Sequence, residues 1–299
     1  MNHVLIQNSF FSRASHLRKH FEDQFQVHKD TRTQRFVWDY WYVKDQYQFL
    51  RTPAYHYFPK KLYQDFHSQL VQWGREVLGC HDVSPPWLSY YVEGMEQKIH
   101  SDVPHGPWAW VYSLSPRRRV FSGGETFILK PEVLNYWGNF LEETDREQSA
   151  YIKSISPDFN RLIVFDPRFP HGVTPVRGTS DPLQGRLVIH GWFVEPRPYV
   201  VGGLSTSQVQ RVLEPAIHSL SDFLGTAGDF HGTLSFRLSV SKAGHVQQFK
   251  WLTNTVIGLI NPAQQKRELR RWIQTQFQSL KFLARSETSQ ITIPILFRA

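Results

Sequence analysis

Between Trp87 and Pro196 the chain reads as a run of short apolar strands broken by glycine- and proline-rich turns. The segments 87–93, 108–114, 125–130, 161–166 and 186–194 are rich in Val, Ile, Tyr, Phe and Trp, residues that suit a pleated, half-buried surface. A doubly wound parallel sheet needs a crossover helix after nearly every strand. No such alternation is present, so the pattern predicts an antiparallel sandwich or jelly roll. The stretch 131–148 is more helical and reads as a surface excursion.

The flanks fit around that β-rich block. Residues 14–25 carry apolar positions at helical spacing and predict an early amphipathic helix. Aromatic and β-branched runs at 36–43 and 47–52 predict two strands. Residues 60–79 place Leu62, Phe66, Leu70 and Val71 on one helical face, with Gly79 as the stop. The β pattern ends at Glu195-Pro196-Arg197-Pro198, and Gly202-Gly203 follows. A domain boundary near residue 200 is therefore expected, giving a domain over 1–199 and a small α+β domain over 200–299. That second piece should hold a helix at 206–224, a hairpin around Ala243-Gly244, a helix at 262–280 and a last strand, Ile291–Phe297.

Charge narrows the partners. Thirty-four Lys and Arg against 26 Asp and Glu give a net charge of +8, which favours acidic partners in general. The basic residues are scattered, however, and the densest runs are Arg117-Arg118-Arg119 and Lys266-Arg267 with Arg270-Arg271. A nucleic-acid surface would want a longer basic face interleaved with exposed aromatics, so none is expected. Cys80 is the single cysteine, which excludes an intrachain disulfide and fits a reducing compartment. Met1–Phe11 lacks the apolar core of a secretion leader, and no apolar run approaches the roughly 20 residues of a membrane span. A cytoplasmic protein without membrane attachment is expected; the oligomeric state is not legible.

The chemistry starts at Lys98-Ile99-His100-Ser101-Asp102. A His and an Asp two apart project to the same side of a strand or its exit. One imidazole and one carboxylate supply two-thirds of a 2-His-1-carboxylate facial triad, which holds Fe(II) and leaves positions open. Three features follow downstream: Gly123-Gly124-Glu125-Thr126, then Phe165 running on to His171-Gly172-Val173, then Gly185-Arg186 opening a strand. Arg186 and His171 are expected on neighbouring antiparallel strands joined by the turn 177–184.

In that order these motifs resemble the iron(II)- and 2-oxoglutarate-dependent oxygenases, with the prolyl-4-hydroxylase-like branch the nearest in pattern, over about residues 85–196. The resemblance implies a double-stranded β-helix (a cupin-like jelly roll) with N-terminal helices in support. It implies His100, Asp102 and His171 as metal ligands and Arg186 as the partner of the far carboxylate of 2-oxoglutarate. A guanidinium fork matches a carboxylate bidentately and stays charged when buried. Tyr91 resembles a family tyrosine that hydrogen-bonds the co-substrate; Tyr90 competes for that role, because strand alternation lets only one face inward. Ser113 stands where many relatives carry a second tyrosine, leaving room in the pocket.

The implied activity uses Fe(II), 2-oxoglutarate and O₂, releases succinate and CO₂, and hydroxylates an aliphatic C–H. The carboxylate at Asp102 argues against a halogenase. Two substrate classes follow: a small amino acid or natural-product intermediate, and a peptidyl residue such as proline. A module that binds metal without catalysis is the rival from another class, and the intact His, Asp, His and Arg set disfavours it. His190 shares a strand face with Arg186 and reads as a hydrogen-bonded core histidine, with a supporting group behind the site residues as the alternative. Finally, Gly232–Val240, Gly244-His245-Val246, Arg271-Trp272 and Ile293–Phe297 resemble the C-terminal domain of TonB-type proteins, a likeness of shape rather than activity.

Overall fold

The structure, a computed structural model, describes residues 3–27, 38–102, 105–130, 151–258 and 262–297. The expected excursion at 131–148 lies outside the described residues. The chain divides into two compact units, one of Val4–Gln69 with Val83–Trp192, the other of Met1–His3, Leu70–Asp82 and Phe193–Ala299.

The first unit is built on a twelve-stranded sheet. The elements up to residue 196 in chain order are β1 (Val4–Gln7), α1 (Ala14–Val27), β2 (Asp39–Val43), β3 (Tyr47–Pro53), α2 (Ala54–Tyr57), α3 (Lys60–Val77), β4 (Cys80–Val83), β5 (Trp87–Tyr91), β6 (Glu96–His100), β7 (Trp108–Ser113), β8 (Thr126–Leu129), β9 (Ile152–Ile155), β10 (Arg161–Phe165), β11 (His171–Val173) and β12 (Arg186–Pro196), of which the second half of α3, most of β4 and the end of β12 fall in the other unit. The strands follow the order β1-β10-β7-β12-β5-β3-β6-β11-β8-β9, with β2 on β3 and β4 on β12.

The sheet cannot be flat. β12 and β8 stand five strand steps apart in that order, which is roughly 24 Å at the usual strand spacing. Yet Arg186 Nη2 on β12 donates to Thr126 Oγ1 on β8 at 3.2 Å. Only a sheet rolled onto itself brings those strands face to face. The expected jelly roll is borne out.

The same order corrects one expectation. β11 pairs β6 and β8, while β12 pairs β5 and β7. His171 and Arg186 are therefore not on neighbouring strands; they face each other across the roll. Strands close in sequence are not paired here because the chain crosses between layers at the 177–184 turn.

Outside the roll, α1 and the first half of α3 cover one sheet face through aromatic contacts. Phe66 lies 4.8 Å from the Tyr112 ring and meets Phe10 and Phe11 edge-on. Leu17, Phe21, Phe66 and Tyr112 are almost wholly buried, and each such side chain stabilises the fold by about 1.5–3 kcal/mol. Inside the roll a smaller apolar cluster of Phe49, Tyr91, Phe121, Val173, Val176 and Val188 packs together.

The second unit has a five-stranded antiparallel sheet of β13 (Tyr199–Gly202), β14 (Phe230–Val240), β15 (Val246–Asn254), β16 (Ile257–Gly258) and β17 (Ser289–Phe297). Its order is β13-β17-β14-β15, with β16 on β14. Helices α4 (Thr206–Ala227) and α5 (Pro262–Gln278) bury Val209, Leu213, Ile273 and Phe277 in one core with Phe236, Leu238, Ile291 and Ile293. Ser205 starts α4 with a capping box, its hydroxyl accepting from Gln208 N while Gln208 Oε1 accepts from Ser205 N. Among the described residues no helix is long and apolar enough to cross a membrane.

Candidate metal centre and co-substrate pocket

β6 ends at His100, and β11 begins at His171, directly opposite it in the antiparallel register. Asp102 follows two residues past the strand exit, where its backbone N–H donates to Pro167 O at 3.0 Å. Together the three side chains offer one ligand atom each, all within 4.8 Å of one another. The His171 Nε2 to Asp102 Oδ2 distance is 3.3 Å, and His100 Nε2 to Asp102 Oδ1 is 3.6 Å.

Both rings are oriented from behind. His100 Nδ1 lies 2.7 Å from Lys98 O, and His171 Nδ1 lies 2.9 Å from Phe169 O. A carbonyl only accepts, so each Nδ1 carries a proton, and in the neutral ring the lone pair is then on Nε2, on the side of the carboxylate. That is the tautomer a metal requires. Burial and the neighbouring His171 hold His100 below the usual histidine range, which keeps it neutral. Burial opposes ionisation of Asp102, but the His171 and His100 imidazoles beside it outweigh burial and hold its carboxyl below the usual carboxylate range. Two neutral imidazoles and one carboxylate suit a divalent cation.

The triad opens on a cavity of about 610 Å³ that also contains Arg186, Tyr91 and Thr126, within the usual span for small-molecule sites. Arg186 is 1% exposed. One Nη2 bond goes to Thr126, and the guanidinium lies 4.6 Å from the Tyr91 ring centroid, but its Nε and Nη1 are buried without a hydrogen-bond partner. A buried cation with orphaned donors is costly unless an anion completes it. The residues fit a dicarboxylate reaching from the triad to Arg186.

Glycines make room for that arginine. Gly123 and Gly124 have φ of +75° and +70°; a Cβ on Gly123 would lie 1.8 Å from Pro175 O, and one on Gly124 would touch the Arg186 stem at 3.0 Å. Gly123→Ala is expected to lower the unfolding free energy by about 2 kcal/mol or more, measured by urea denaturation.

The other sequence candidates sort by strand alternation. Tyr91 faces the cavity, and its hydroxyl, pushed up to about 12 by burial, donates to Gln97 Oε1 at 3.0 Å. Tyr90 points the other way, packed 4.9 Å from Trp38, and takes no part in the pocket. Ser113 is on the same strand parity as Ala109 and Val111, which line the cavity, but it lies further along and is not in the lining. Its hydroxyl donates to Pro157 O at 2.8 Å instead. Trp108 is buried away from the cavity, whereas Trp110 and Trp192 are both in its lining, Trp192 with the His105 ring 4.6 Å away.

His190 also lines the cavity, with Nε2 2.8 Å from Ser89 Oγ. Burial, then the charges of Arg186 and Arg51, push its pKa down to about 3. An unfolded histidine titrates near 6.5, so the unfolded chain binds a proton that the native one refuses. This contribution to stability is complete above about pH 7 and is lost as pH falls below 6.5, by about 2 kcal/mol at pH 5. Urea titrations of wild type and His190→Asn at both pH values should differ by that amount, with the variant less sensitive to acid.

Sequence reasoning passed over Thr126, Gln97, His105 and Arg51, all in the lining. Thr126 alone carried a signal, directly following Gly123-Gly124-Glu125.

Residues 86–194 match the family model of the 2OG-Fe(II) oxygenase superfamily. A comparison with curated protein sequences gives no match. Among solved structures the chain is similar to a prolyl hydroxylase from Trichoplax adhaerens in complex with a hypoxia-inducible-factor peptide fragment, at 17% identity and TM-score 0.46, covering 65% of this chain and 84% of that one. It is also similar to a Pseudomonas putida prolyl-4-hydroxylase, at 16% identity and TM-score 0.45 over 65% and 94% of the two chains. A third is HygX from Streptomyces hygroscopicus, solved with nickel and 2-oxoglutarate bound, at 12% identity and TM-score 0.42 over 62% and 80%. Residues 86–194 thus carry a 2OG-Fe(II) oxygenase domain by the family-model match, the His100–Asp102–His171 cluster lies within the matched span, and the enzyme type this defines uses Fe(II), 2-oxoglutarate and O₂.

Proposed function

We propose that the enzyme hydroxylates an unactivated aliphatic C–H of a small amino-acid-like or natural-product substrate. The observation that carries this reading is the pairing, in one cavity, of the His100–Asp102–His171 cluster with an Arg186 whose Nε and Nη1 lack partners. His100 Nε2, Asp102 and His171 Nε2 hold the metal, and Lys98 O and Phe169 O keep the two rings from turning. Arg186 receives the far carboxylate of 2-oxoglutarate, steadied by Thr126 and by the Tyr91 face. Fe(II) with 2-oxoglutarate and O₂ supplies the oxidising power, and succinate and CO₂ leave as co-products. Tyr91, Phe49 and Val188 keep water from the inner end of the pocket.

A small substrate is supported by a cavity of about 610 Å³ lined by Trp41, Trp87 and Trp192. A peptidyl, prolyl-type substrate is the outcome that would displace it. For residues 200–299 we propose a TonB-type shape, an antiparallel sheet backed by two helices, with no part in the oxidation; residues 1–199 supply all of the chemistry.

The test is succinate release, screened over amino acids, acidic metabolites and proline-containing peptides with Fe(II) and 2-oxoglutarate. A small molecule that stimulates turnover well above the substrate-free rate is expected. Stimulation by peptides alone would overturn the substrate class.

A further inference from the structure

The cavity holds a second arginine that neither the metal cluster nor the co-substrate uses. Arg51 stands on β3 opposite Ser89 of β5, which in turn stands opposite Val188 of β12. Arg186 stands opposite Tyr91, two residues along the same strands. Two residues of strand are about 7 Å, and even spacing keeps both arginines on the inward face. Both line the cavity.

The surroundings of Arg51 are unusual for a structural arginine. Its guanidinium lies between two indoles, 3.4 Å from the Trp41 ring centroid and 4.0 Å from that of Trp87. Rings above and below remove water from the faces and hold the plane, while the donors point outward along the edges. Nε is buried with no hydrogen-bond partner, and among the described residues no carboxylate forms an ion pair with the group. Asp39, its register partner on β2, is exposed and influences it only at a distance. Trp192 Nε1 is a further buried donor without a partner in the same lining.

A dicarboxylate co-substrate has one carboxylate for the metal end and one for Arg186, which leaves Arg51 unmatched. Resting on the oxygenase reading above, we propose that Arg51, clamped between Trp41 and Trp87, binds a carboxylate of the primary substrate. The oxidised molecule is then a small carboxylic acid, such as a free amino acid or an acidic natural-product intermediate. An internal residue of a peptide has no carboxylate at its backbone to offer. The rigid clamp fixes one end of the substrate, so Arg51 sets which C–H faces the metal. Lysine would not substitute, because an ammonium lacks both the fork and the flat face.

The test uses the full chain under anaerobic conditions with Fe(II) and saturating 2-oxoglutarate, which fills Arg186. Free and N-acetylated amino acids are each titrated beside their primary amides, following the visible charge-transfer band and tryptophan fluorescence. At least one acid should bind tenfold or more tightly than its amide. Arg51→Gln should erase that difference and Arg51→Lys restore only part of it, while the 2-oxoglutarate midpoint of the band moves less than twofold in either. If every amide binds as well as its acid, or if Arg51→Gln keeps the preference while the band forms normally, the Arg51 assignment is wrong and the oxygenase reading stands. Absence of the band from folded wild type overturns both. Should Arg51→Gln fail to fold, the acid-against-amide comparison and Arg51→Lys decide.

Discussion

His171→Ala is expected to abolish the charge-transfer band that Fe(II) and 2-oxoglutarate produce together, and with it succinate release. Loss of a partner behind a metal ligand typically costs 10–100-fold, and loss of a ligand itself costs more. His171 is 5% exposed and packs 4.7 Å from the Phe165 ring, so the alanine also leaves a cavity. Asp102→Asn separates the two effects. It keeps volume and packing but removes the charge that pairs with two imidazoles at 3.3 and 3.6 Å. Both variants should lose the band, His171→Ala with reduced stability and Asp102→Asn with little change. A folded Asp102→Asn or His171→Ala protein that retained a normal band would move the metal elsewhere.

The sequence made the chemistry of this site easier to read than its architecture. His100, Asp102, His171 and Arg186 stand out because few structural roles demand those residue types in that order, and the rolled sheet brings all four to one cavity. β6 itself was not legible: Glu96-Gln97-Lys98-Ile99-His100 has no apolar alternation, and its residues are at most half-buried. Pairing with β3 and β11, not hydrophobic burial, makes it a strand. β11 is only three residues long, too short for any periodicity.

Alternation resolved what it is able to resolve. It separated Tyr91 from Tyr90, but it could not say how far along a strand the cavity extends, and so Ser113 fell on the right face at the wrong depth. Neighbourhood across the roll was beyond it altogether. The distance from Arg186 to Thr126 is 60 residues in sequence and 3.2 Å in space. Arg51 shows the same limit, because its two indole partners come from separate strands, β2 and β5, and nothing in Phe49-Leu50-Arg51-Thr52 distinguishes it from a surface arginine.

Arg186→Met should have two effects of opposite sign. The first is on the co-substrate: removing one member of a buried, hydrogen-bonded charge pair costs on the order of 2–5 kcal/mol, so the 2-oxoglutarate requirement should rise about 30-fold or more. Titrating the charge-transfer band reads this directly. The second is on the protein without co-substrate. There the guanidinium is buried with Nε and Nη1 unpaired, offset by Thr126 Oγ1, the Tyr91 side chain and the more distant charge of Glu125. Burial already lowers its pKa from the arginine norm, a sign that the charge is held at a cost. A methionine of similar length removes that cost, and replacing buried charge with apolar volume is often stabilising by about 1–4 kcal/mol. Arg186→Met is therefore expected to unfold at higher urea than wild type when 2-oxoglutarate is absent. Adding Fe(II) with the co-substrate at about 1,000 times its dissociation constant reverses the order, because it stabilises wild type by about 4.1 kcal/mol and the variant hardly at all. A variant less stable than wild type under both conditions would mean that Arg186 is a packing residue rather than a receptor for the carboxylate.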